Sequence, residues 1–338
     1  MKIYSKDELN NNVNSLTYDD ISLIPTKISQ LKSRSDIKIG SEFLGHKLNV
    51  PVLSSPMDTV TGIEMCKELT NLGAIGILNR FDSSLDSLLN NGEENKGIIA
   101  VSIGLDTPDS ILEKLAAKKY LICIDTANAN NTYVLQKTEE IKKKFPVKVI
   151  VGNVAHGSTL QSLVDSGADA VRVGIGNGSV CTTSIQTGIG IGQVSSILNV
   201  FFQREKNKLD ISIIADGGIK NAGDIAKAIC LGADVVILGR MIAGTKETPG
   251  EVIKYGGQLW KKYRGSASFG VKLKNVFIEG DETMVPYKGA VKNVIDTVSD
   301  GLRSCMSYMN CQTLNALRDS DSFAVLSNSS FMERLPKV

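Results

Sequence analysis

The chain has few of the residue types that build metal centres, disulfide frameworks and aromatic stacking surfaces. Only 2 histidines occur in 338 residues, aromatic residues make up 5%, and the 6 cysteines are scattered without a Cys-x-x-Cys pair. This spacing argues against a zinc site and against a disulfide framework. His46 and His156 lie outside every motif described below, so we expect both to be structural or surface residues.

A strong charge of either sign and a long apolar run are also missing. The formal net charge is +2, which gives no electrostatic reason to expect a nucleic-acid partner. No apolar run reaches the length of a membrane span, and the first residues contain no apolar stretch typical of a signal peptide. Hydrophobic residues make up 42% of the chain, enough for one large core. The sequence therefore predicts a cytoplasmic globular protein without a membrane partner.

What is present is an alternation of short β-branched runs with longer amphipathic stretches between about residues 50 and 245. Because the runs are apolar throughout, they predict strands buried on both faces, and such strands are usually parallel. Eight runs favour an α/β TIM barrel over an open doubly wound sheet of five or six strands. The predicted strands are residues 52–54, 75–78, 98–101, 120–124, 147–151, 170–173, 211–215 and 235–238.

The stretches between these runs have helical patterns, such as residues 110–119 and 224–232. Two Gly-Ala-Asp tripeptides, which begin at Gly167 and Gly232, each precede a predicted strand. We expect both glycines to end a helix and to start a tight turn into the next strand. They support the barrel without indicating a function.

A glycine-rich loop with a single cysteine follows the sixth predicted strand. Residues 174–183 read GIGNGSVCTT. Glycines let the backbone come close to a ligand, and free N–H groups in such a loop can hold a phosphate or a developing anion. A lone cysteine is often only a small buried hydrophobe. Such a filler would not need flexible flanks, so Cys181 is a candidate nucleophile.

The ends of the seventh and eighth predicted strands carry a second group of candidate residues. Phosphate is often held at these ends in a TIM barrel. Asp216 could bind a ribose diol, Gly217, Gly218 and Gly239 expose backbone N–H groups, and Arg240 adds positive charge. The alternative is that these glycines only form turns.

Four separated motifs resemble the IMP dehydrogenase and GMP reductase family in content and order. They are Ser-Ser-Pro-Met-Asp-Thr-Val at 54–60, Gly-Ser-Val-Cys-Thr-Thr at 178–183, Asp-Gly-Gly at 216–218 and Val-Pro-Tyr-Lys-Gly at 285–289. The resemblance extends from about Leu16 to about Leu317. It implies a homotetramer and a thioimidate between the loop cysteine and C2 of a purine nucleotide. It also implies hydride transfer between that carbon and a nicotinamide cofactor.

The resemblance assigns roles to individual residues. Cys181 would be the nucleophile, with Thr183 and Glu279 providing the proton for the leaving group. The nucleotide would be held by Met57, Asn153, Ser179, Asp216, Gly217, Gly218, Gly239, Tyr263, Gly265, Ser266 and Gly280, and Arg240 would add its charge, although the family pattern does not contain it. The cofactor would be held by Asp125, Ala127, Asn128 and Ser268. Carbonyl oxygens near Gly176 and Gly178 would bind a monovalent cation such as K⁺.

Two features favour the reductase within this family. Only ten residues separate Ser268 from Glu279, too few for the long mobile flap with an Arg-Tyr pair by which the dehydrogenase activates water. No regulatory CBS insertion lies between Arg80 and Ile98. The segments 125–128 (DTAN) and 263–268 (YRGSAS) are also similar to the reductase, and Asn-Arg-Phe at 79–81 looks like the His-Arg-Phe of one bacterial branch.

We therefore expect NADPH-dependent reduction of GMP to IMP and ammonia. Residues 54–61 and 216–251 are closer to the dehydrogenase. An IMP dehydrogenase without CBS modules, which would use NAD, thus remains an alternative. A catalytically silent barrel that binds a purine nucleotide is a third possibility, against which the presence of nucleophile and acid together argues.

Three positions depart from the family pattern. Asn177 replaces a proline and is expected to loosen the cysteine loop, because proline fixes φ. Ser184 replaces a basic residue, and Arg240 stands where the family has serine or glycine. Arg240 is expected to strengthen the phosphate contact or to change the nucleotide accepted.

We expect one domain over residues 1–338. Its parts would be an N-terminal extension (1–16), a barrel core (about 50–300) and a catalytic flap segment (about 263–289).

Overall fold

Three short strands precede the main sheet in the computed structural model, which describes residues 2–12, 14–81, 89, 97–268 and 279–335. Strand β1 spans Ile21–Leu23, and β2 (Ser41–Phe43) forms an antiparallel hairpin with β3 (His46–Leu48). Side chains of this hairpin, Phe43 and Leu48, pack with the side chains that fill the barrel interior. The hairpin therefore plugs the end of the barrel at which the strands begin.

Eight parallel strands then close into a barrel, with the last strand hydrogen-bonded to the first. They are β4 (Val52–Ser54), β5 (Ile75–Leu78), β6 (Ala100–Ile103), β7 (Leu121–Asp125), β8 (Val149–Val154), β9 (Ala170–Val173), β10 (Ser212–Asp216) and β11 (Val235–Leu238). The predicted TIM barrel is confirmed, and four predicted strands have the observed bounds. The other four begin one or two residues later than predicted and end one to three residues later.

Helices connect the barrel strands and cover their outer surface. The helices of the described residues are α1 (Lys6–Asn10), α2 (Ile63–Asn71), α3 (Asp109–Ala117), α4 (Thr132–Lys144), α5 (Leu160–Asp165), α6 (Thr183–Thr187), α7 (Gln193–Asn207), α8 (Ala222–Cys230), α9 (Val291–Tyr308), α10 (Leu314–Arg318) and α11 (Asn328–Glu333). No helix in these described ranges is both long and apolar enough to cross a membrane.

Backbone conformation explains where two helices differ from their predicted bounds. Helices α3 and α8 each end two residues before the predicted end, near residues of left-handed conformation, Lys119 at φ 57° and Gly232 at φ 113°. Helix α8 also begins two residues early, because the Asn221 side chain accepts a hydrogen bond from the N–H of Asp224 and caps it. Gly167 has a φ of 96°, so the predicted turn role of both Gly-Ala-Asp glycines is confirmed.

A small antiparallel sheet follows the barrel and lies beside its functional end. It contains β12 (Ile253–Tyr255), β13 (Gln258–Arg264) and β14 (Glu282–Pro286). The Nζ of Lys288, just after β14, donates to the carbonyl oxygens of Arg240 (2.8 Å) and Met241 (2.9 Å). These bonds anchor the loop after β11. The last strand, β15 (Phe323–Val325), pairs with β1.

Candidate active site

Two cavities lie at the end of the barrel where the parallel strands finish. The larger has a volume of about 570 Å³ and the smaller about 350 Å³. They share lining residues, including Met57, Gly178 and Tyr263, and so form one continuous cleft. This is the end of a TIM barrel at which ligands bind and reactions occur.

The cysteine loop carries a chain of hydrogen bonds into the smaller cavity. The thiol of Cys181 donates to Thr183 Oγ1 at 3.2 Å, and the Thr183 hydroxyl donates to Glu279 Oε2 at 2.9 Å. All three residues line this cavity and are half-buried. A hydroxyl between a thiol and a carboxylate can pass a proton in either direction.

Backbone pairing holds Glu279 in this position. The N–H of Thr182 donates to the carbonyl of Glu279 at 3.0 Å, and the N–H of Asp281 donates to the carbonyl of Val180 at 2.9 Å. Gly280, between them, is bridged to the cysteine. The predicted flap segment therefore lies against the cysteine loop where it is described, while its residues 269–278 lie outside the described part of the chain.

Cys181 differs from the other cysteines in its surroundings. It and Cys305 are half-buried, whereas Cys66, Cys123, Cys230 and Cys311 are buried. Burial raises the pKa of the Cys123 thiol to about 11, and it raises that of Cys305 to about 11 as well. A thiol with such a pKa is almost entirely protonated at neutral pH and is a poor nucleophile.

The buried side chain of Arg172 pairs with one aspartate from the lining of each cavity. The Arg172 side chain is only 7% exposed, and its Nε and Nη2 donate to Asp216 Oδ2 at 3.0 and 2.8 Å. Its Nη1 donates to Asp125 Oδ1 at 2.6 Å. Burial alone would lower the pKa of Arg172, but Asp216 and Asp125 together raise it well above its usual value. The arginine thus holds both carboxylates in fixed positions at the ends of β7 and β10.

Hydrogen bonds to Asp216 involve only one of its two carboxylate oxygens among the described residues. Its Oδ2 also accepts a hydrogen bond from Asn153 Nδ2 at 2.9 Å. Oδ1 has no hydrogen-bond partner among the described residues, and Asp216 lines the larger cavity. A carboxylate held in this way can accept hydrogen bonds from a sugar diol.

Hydroxyl, glycine and basic groups also line the larger cavity. Ser179 Oγ and Tyr263 Oη lie 3.1 Å apart. Burial raises the pKa of Tyr263, so its hydroxyl stays neutral and can donate. A Cβ at Gly239 would lie 3.4 Å from that hydroxyl, which shows how closely this backbone approaches it. Arg240 lines the same cavity. These groups can hold a phosphate.

Asn177 stands where the family has a proline, and its side chain holds the cysteine loop in place. Its side-chain amide donates to Gln193 Oε1 at 2.6 Å, and Gln193 in turn donates to the Val173 carbonyl at 2.7 Å. Asn177 also does not have a positive φ. These bonds anchor the cysteine loop to α7 and β9, in contrast to the loosening that we expected.

Most predicted site residues line the cleft. The larger cavity contains Met57, Gly178, Ser179, Asp216, Gly217, Gly218, Gly239, Arg240 and Tyr263. The smaller contains Asp125, Ala127, Asn153, Gly176, Cys181, Thr183, Gly265, Ser266 and Glu279, besides the shared residues.

Three predicted residues, Asn128, Ser268 and Gly280, line neither cavity. Asn128 is exposed, and its side chain accepts a hydrogen bond from the N–H of Asn130 in a local turn. Ser268 is fully buried. Gly280 acts through its backbone pairing with Cys181. The role of Gly176 and Gly178 in cation binding stays a prediction. The Gly178 carbonyl accepts a hydrogen bond from the N–H of Cys181 at 3.0 Å.

Sequence reasoning missed several residues of the cleft, among them Tyr18, Arg80 and Arg172. A signal for Arg172 was present, because a charged residue inside an otherwise apolar strand needs a buried partner. Tyr18 is 2% exposed, and its hydroxyl has no hydrogen-bond partner among the described residues. Nothing in the sequence distinguished Tyr18 from an ordinary core residue.

Fold and cleft together define a TIM barrel whose cleft contains a cysteine thiol that is hydrogen-bonded through a threonine hydroxyl to a carboxylate. Residues 15–337 match the family described as IMP dehydrogenase / GMP reductase domain. The chain belongs to the IMP dehydrogenase / GMP reductase family. The enzymes of this family are oxidoreductases that act on purine nucleotides with nicotinamide cofactors.

Relatives named for both reactions match at similar identity. The chain is 33% identical to the inosine-5′-monophosphate dehydrogenase of Borreliella burgdorferi, over 95% of this chain and 96% of that protein. It is 35% identical to the GMP reductase of Lysinibacillus sphaericus, over 94% of this chain and 98% of that protein. The inosine-5′-monophosphate dehydrogenase of Aquifex aeolicus is 39% identical, but the match spans only 50% of its length.

Proposed function

We propose that this protein is a GMP reductase, which converts GMP to IMP and ammonia with NADPH through a covalent intermediate on Cys181. The proposal rests on the hydrogen-bonded chain from Cys181 through Thr183 to Glu279. Only ten residues precede Glu279 after Ser268, which leaves no length for the flap that the resemblance implies for the dehydrogenase. A reductase needs a proton for the departing amine, and this chain ends on a carboxyl group that can give one.

The relay accounts for the protons of the first step. Glu279 accepts the proton of the Cys181 thiol through Thr183, and the sulfur forms a bond to C2 of GMP. The bond from C2 to the exocyclic amine breaks. The amine leaves as ammonia with the proton that Glu279 returns through Thr183. The atoms of GMP and the thiol equal those of ammonia and the S-linked intermediate, so the step is balanced.

The smaller cavity fits a nicotinamide nucleotide by the chemistry of its lining. Asp125 offers a carboxylate suited to ribose hydroxyls, and Ala127 and Ile175 offer apolar surface for a ring. When bound, the reduced nicotinamide supplies the hydride that replaces the C2–S bond with a C2–H bond. Cys181 then leaves as a thiolate and takes up a proton, which regenerates the thiol.

In the larger cavity, the lining supports a nucleotide held by its phosphate and by its ribose. Ser179, Tyr263, Gly239 and Arg240 would bind the 5′-phosphate, and the free oxygen of Asp216 would accept from the ribose. These groups lie in the cavity that is continuous with the Cys181 side. The purine would therefore extend from the ribose toward the sulfur.

An IMP dehydrogenase without CBS modules is the second candidate. The match to the Borreliella burgdorferi enzyme over 96% of its length favours it. In that case hydride would leave C2 for NAD⁺, and water would release the intermediate as XMP.

An assay in both directions separates these reactions. The purified protein is given GMP with NADPH, or IMP with NAD⁺, and the reduced-nicotinamide absorbance and the nucleotide products are followed. We expect loss of NADPH with GMP, and equal amounts of IMP and ammonia. Formation of NADH and XMP from IMP would show the dehydrogenase instead. Binding of either nucleotide without turnover would indicate a silent binder.

Glu279→Gln tests the relay. Because the variant cannot carry a proton to or from Thr183, we expect kcat with GMP to fall about 10²- to 10⁴-fold, with a small change in KM. Steady-state kinetics measure both constants. Glu251→Gln, at an exposed position away from the cleft, is the matched control and should retain activity. A rise in KM with unchanged kcat would mean that Glu279 serves only binding.

A further inference from the structure

We propose that the larger cavity binds purine nucleoside 5′-diphosphates as well as monophosphates, with the second phosphate held by Arg240 and Lys288. The inference rests on the proposed function only for the presence of a purine nucleotide in this cavity. Both residues line the cavity, and Arg240 stands where the family has serine or glycine. The added guanidinium is thus a feature of this chain and not of the family pattern.

Arg240 lies two residues beyond the end of β11, on the solvent side of the cavity. The residue is exposed, and its guanidinium makes no hydrogen bond or ion pair with any described residue. Burial raises the pKa of the Tyr263 hydroxyl, while a hydrogen bond with Ser179 and the charge of Arg240 oppose this rise. The guanidinium therefore lies within electrostatic reach of a hydroxyl that would bind the 5′-phosphate.

Lys288 places a second positive charge beside Arg240. Its Nζ donates to the carbonyl oxygens of Arg240 and Met241 at 2.8 and 2.9 Å. An ammonium group has three donors, and the third has no partner among the described residues. Burial and the charge of Arg240 lower the pKa of Lys288. The two cations therefore repel each other, and an anion that contacts both would remove this repulsion.

The carboxylates of the cavity are already paired with other cations. The described lining contains two of them, Asp19 and Asp216. Asp19 forms an ion pair with Lys220. Asp216 pairs with Arg172 at 2.8 Å. No carboxylate of this described lining is therefore left to neutralise the two cations at the solvent side, which makes them available to a ligand.

A monophosphate uses only part of the donors that this cavity offers. The hydroxyls of Ser179 and Tyr263 and the N–H of Gly239 are neutral donors for the 5′-phosphate. The planar fork of the Arg240 guanidinium adds five N–H groups, enough to contact the 5′-phosphate and a phosphate attached to it. The second phosphate is remote from C2 of the purine, so a bound diphosphate keeps its base on the Cys181 side. GDP would therefore compete with GMP.

GDP and GMP, which differ by one phosphate, provide the test. Each is titrated into the protein by calorimetry, with EDTA present so that no divalent cation covers the phosphates. We expect GDP to bind at least as tightly as GMP. In Arg240→Ser, which introduces the family residue, the affinity for GDP relative to GMP should fall by about 10- to 100-fold. Arg240→Lys should recover part of this loss, since it keeps the charge but not the fork.

Arg303→Met is the matched control, because it removes an arginine that lines neither cavity of the cleft. It should leave the relative affinity unchanged. GDP binding more than about tenfold weaker than GMP in the wild type, or equal losses for both nucleotides in Arg240→Ser, would overturn the proposal and leave Arg240 as a contact of the 5′-phosphate alone.

These titrations need no turnover, so the two proposals fail in different ways. If GMP reduction is absent but GDP binds as expected, only the proposed function is refuted. If GMP is reduced and GDP does not bind, only this inference is refuted. Binding of neither nucleotide would refute both.

Discussion

Cys181→Ala will reduce kcat with GMP by at least about 10⁴-fold, because the proposed covalent intermediate cannot form. The dissociation constant for GMP should change less than about threefold, since the phosphate and ribose contacts lie on other residues. NADPH oxidation measures the first quantity and calorimetry the second. The physical reason is that Cys181 is the thiol in contact with the Thr183–Glu279 relay.

Cys305→Ala is the control for this result, because Cys305 lies on α9 and burial raises its pKa to about 11. It should retain activity. A purine nucleotide with a leaving group at C2 should add one equivalent of mass to the wild-type protein and none to Cys181→Ala. Labelling that persists in Cys181→Ala would place the nucleophile elsewhere.

Arg172→Met will destabilise the fold by about 3–5 kcal/mol, because it leaves two carboxylates at the barrel end without their shared cation. Both aspartates have side chains that are only 12% exposed, so solvent cannot replace the lost partner well. Urea unfolding measures the change in the free energy of unfolding. We also expect a higher KM for the purine nucleotide, since Asp216 loses the group that orients it.

Two variants separate electrostatics from packing at this position. Adding D125N and D216N to Arg172→Met removes the unpaired charges and should restore part of the stability. Arg303→Met serves as a surface control. Its pair with Asp300 has a separation of 3.8 Å, with Asp300 83% exposed, and its loss should cost less than about 1 kcal/mol. If Arg172→Met and Arg303→Met unfold at the same urea concentration, the charge network contributes nothing.

Local patterns predicted the barrel well because strand formation depends on short runs of buried residues. The runs at 52–54, 75–78, 170–173 and 235–238 have the observed bounds. The β2–β3 hairpin and the β12–β14 sheet were not predicted, since their strands contain many exposed residues and have no continuous apolar run. The predicted bounds of α3 and α8 were wrong by up to two residues, because a cap or a left-handed residue ends the helix independently of the hydrophobic periodicity.

In the candidate site, too, the sequence identified some residues correctly as part of the cleft and others wrongly. A glycine-rich loop with a cysteine carries its chemistry within ten residues, so Cys181 could be singled out from the sequence. Asn128 and Ser268 were placed by resemblance, and the fold brings neither into the cleft. Asn128 lies in its own local turn, and Ser268 is covered on all sides.

The sequence by itself determined the barrel and singled out Cys181 as the candidate nucleophile, because both depend on neighbouring residues. Only the tertiary structure decided the relay and the charge network. Thr183 and Glu279 are 96 residues apart, and Arg172 lies 44 to 47 residues from its two aspartates. Barrel closure brings the ends of β7, β9 and β10 together, and the backbone pairing of 279–281 with the cysteine loop brings the acid to the thiol. Contacts of this kind depend on strand order and register, which no local pattern of residues encodes.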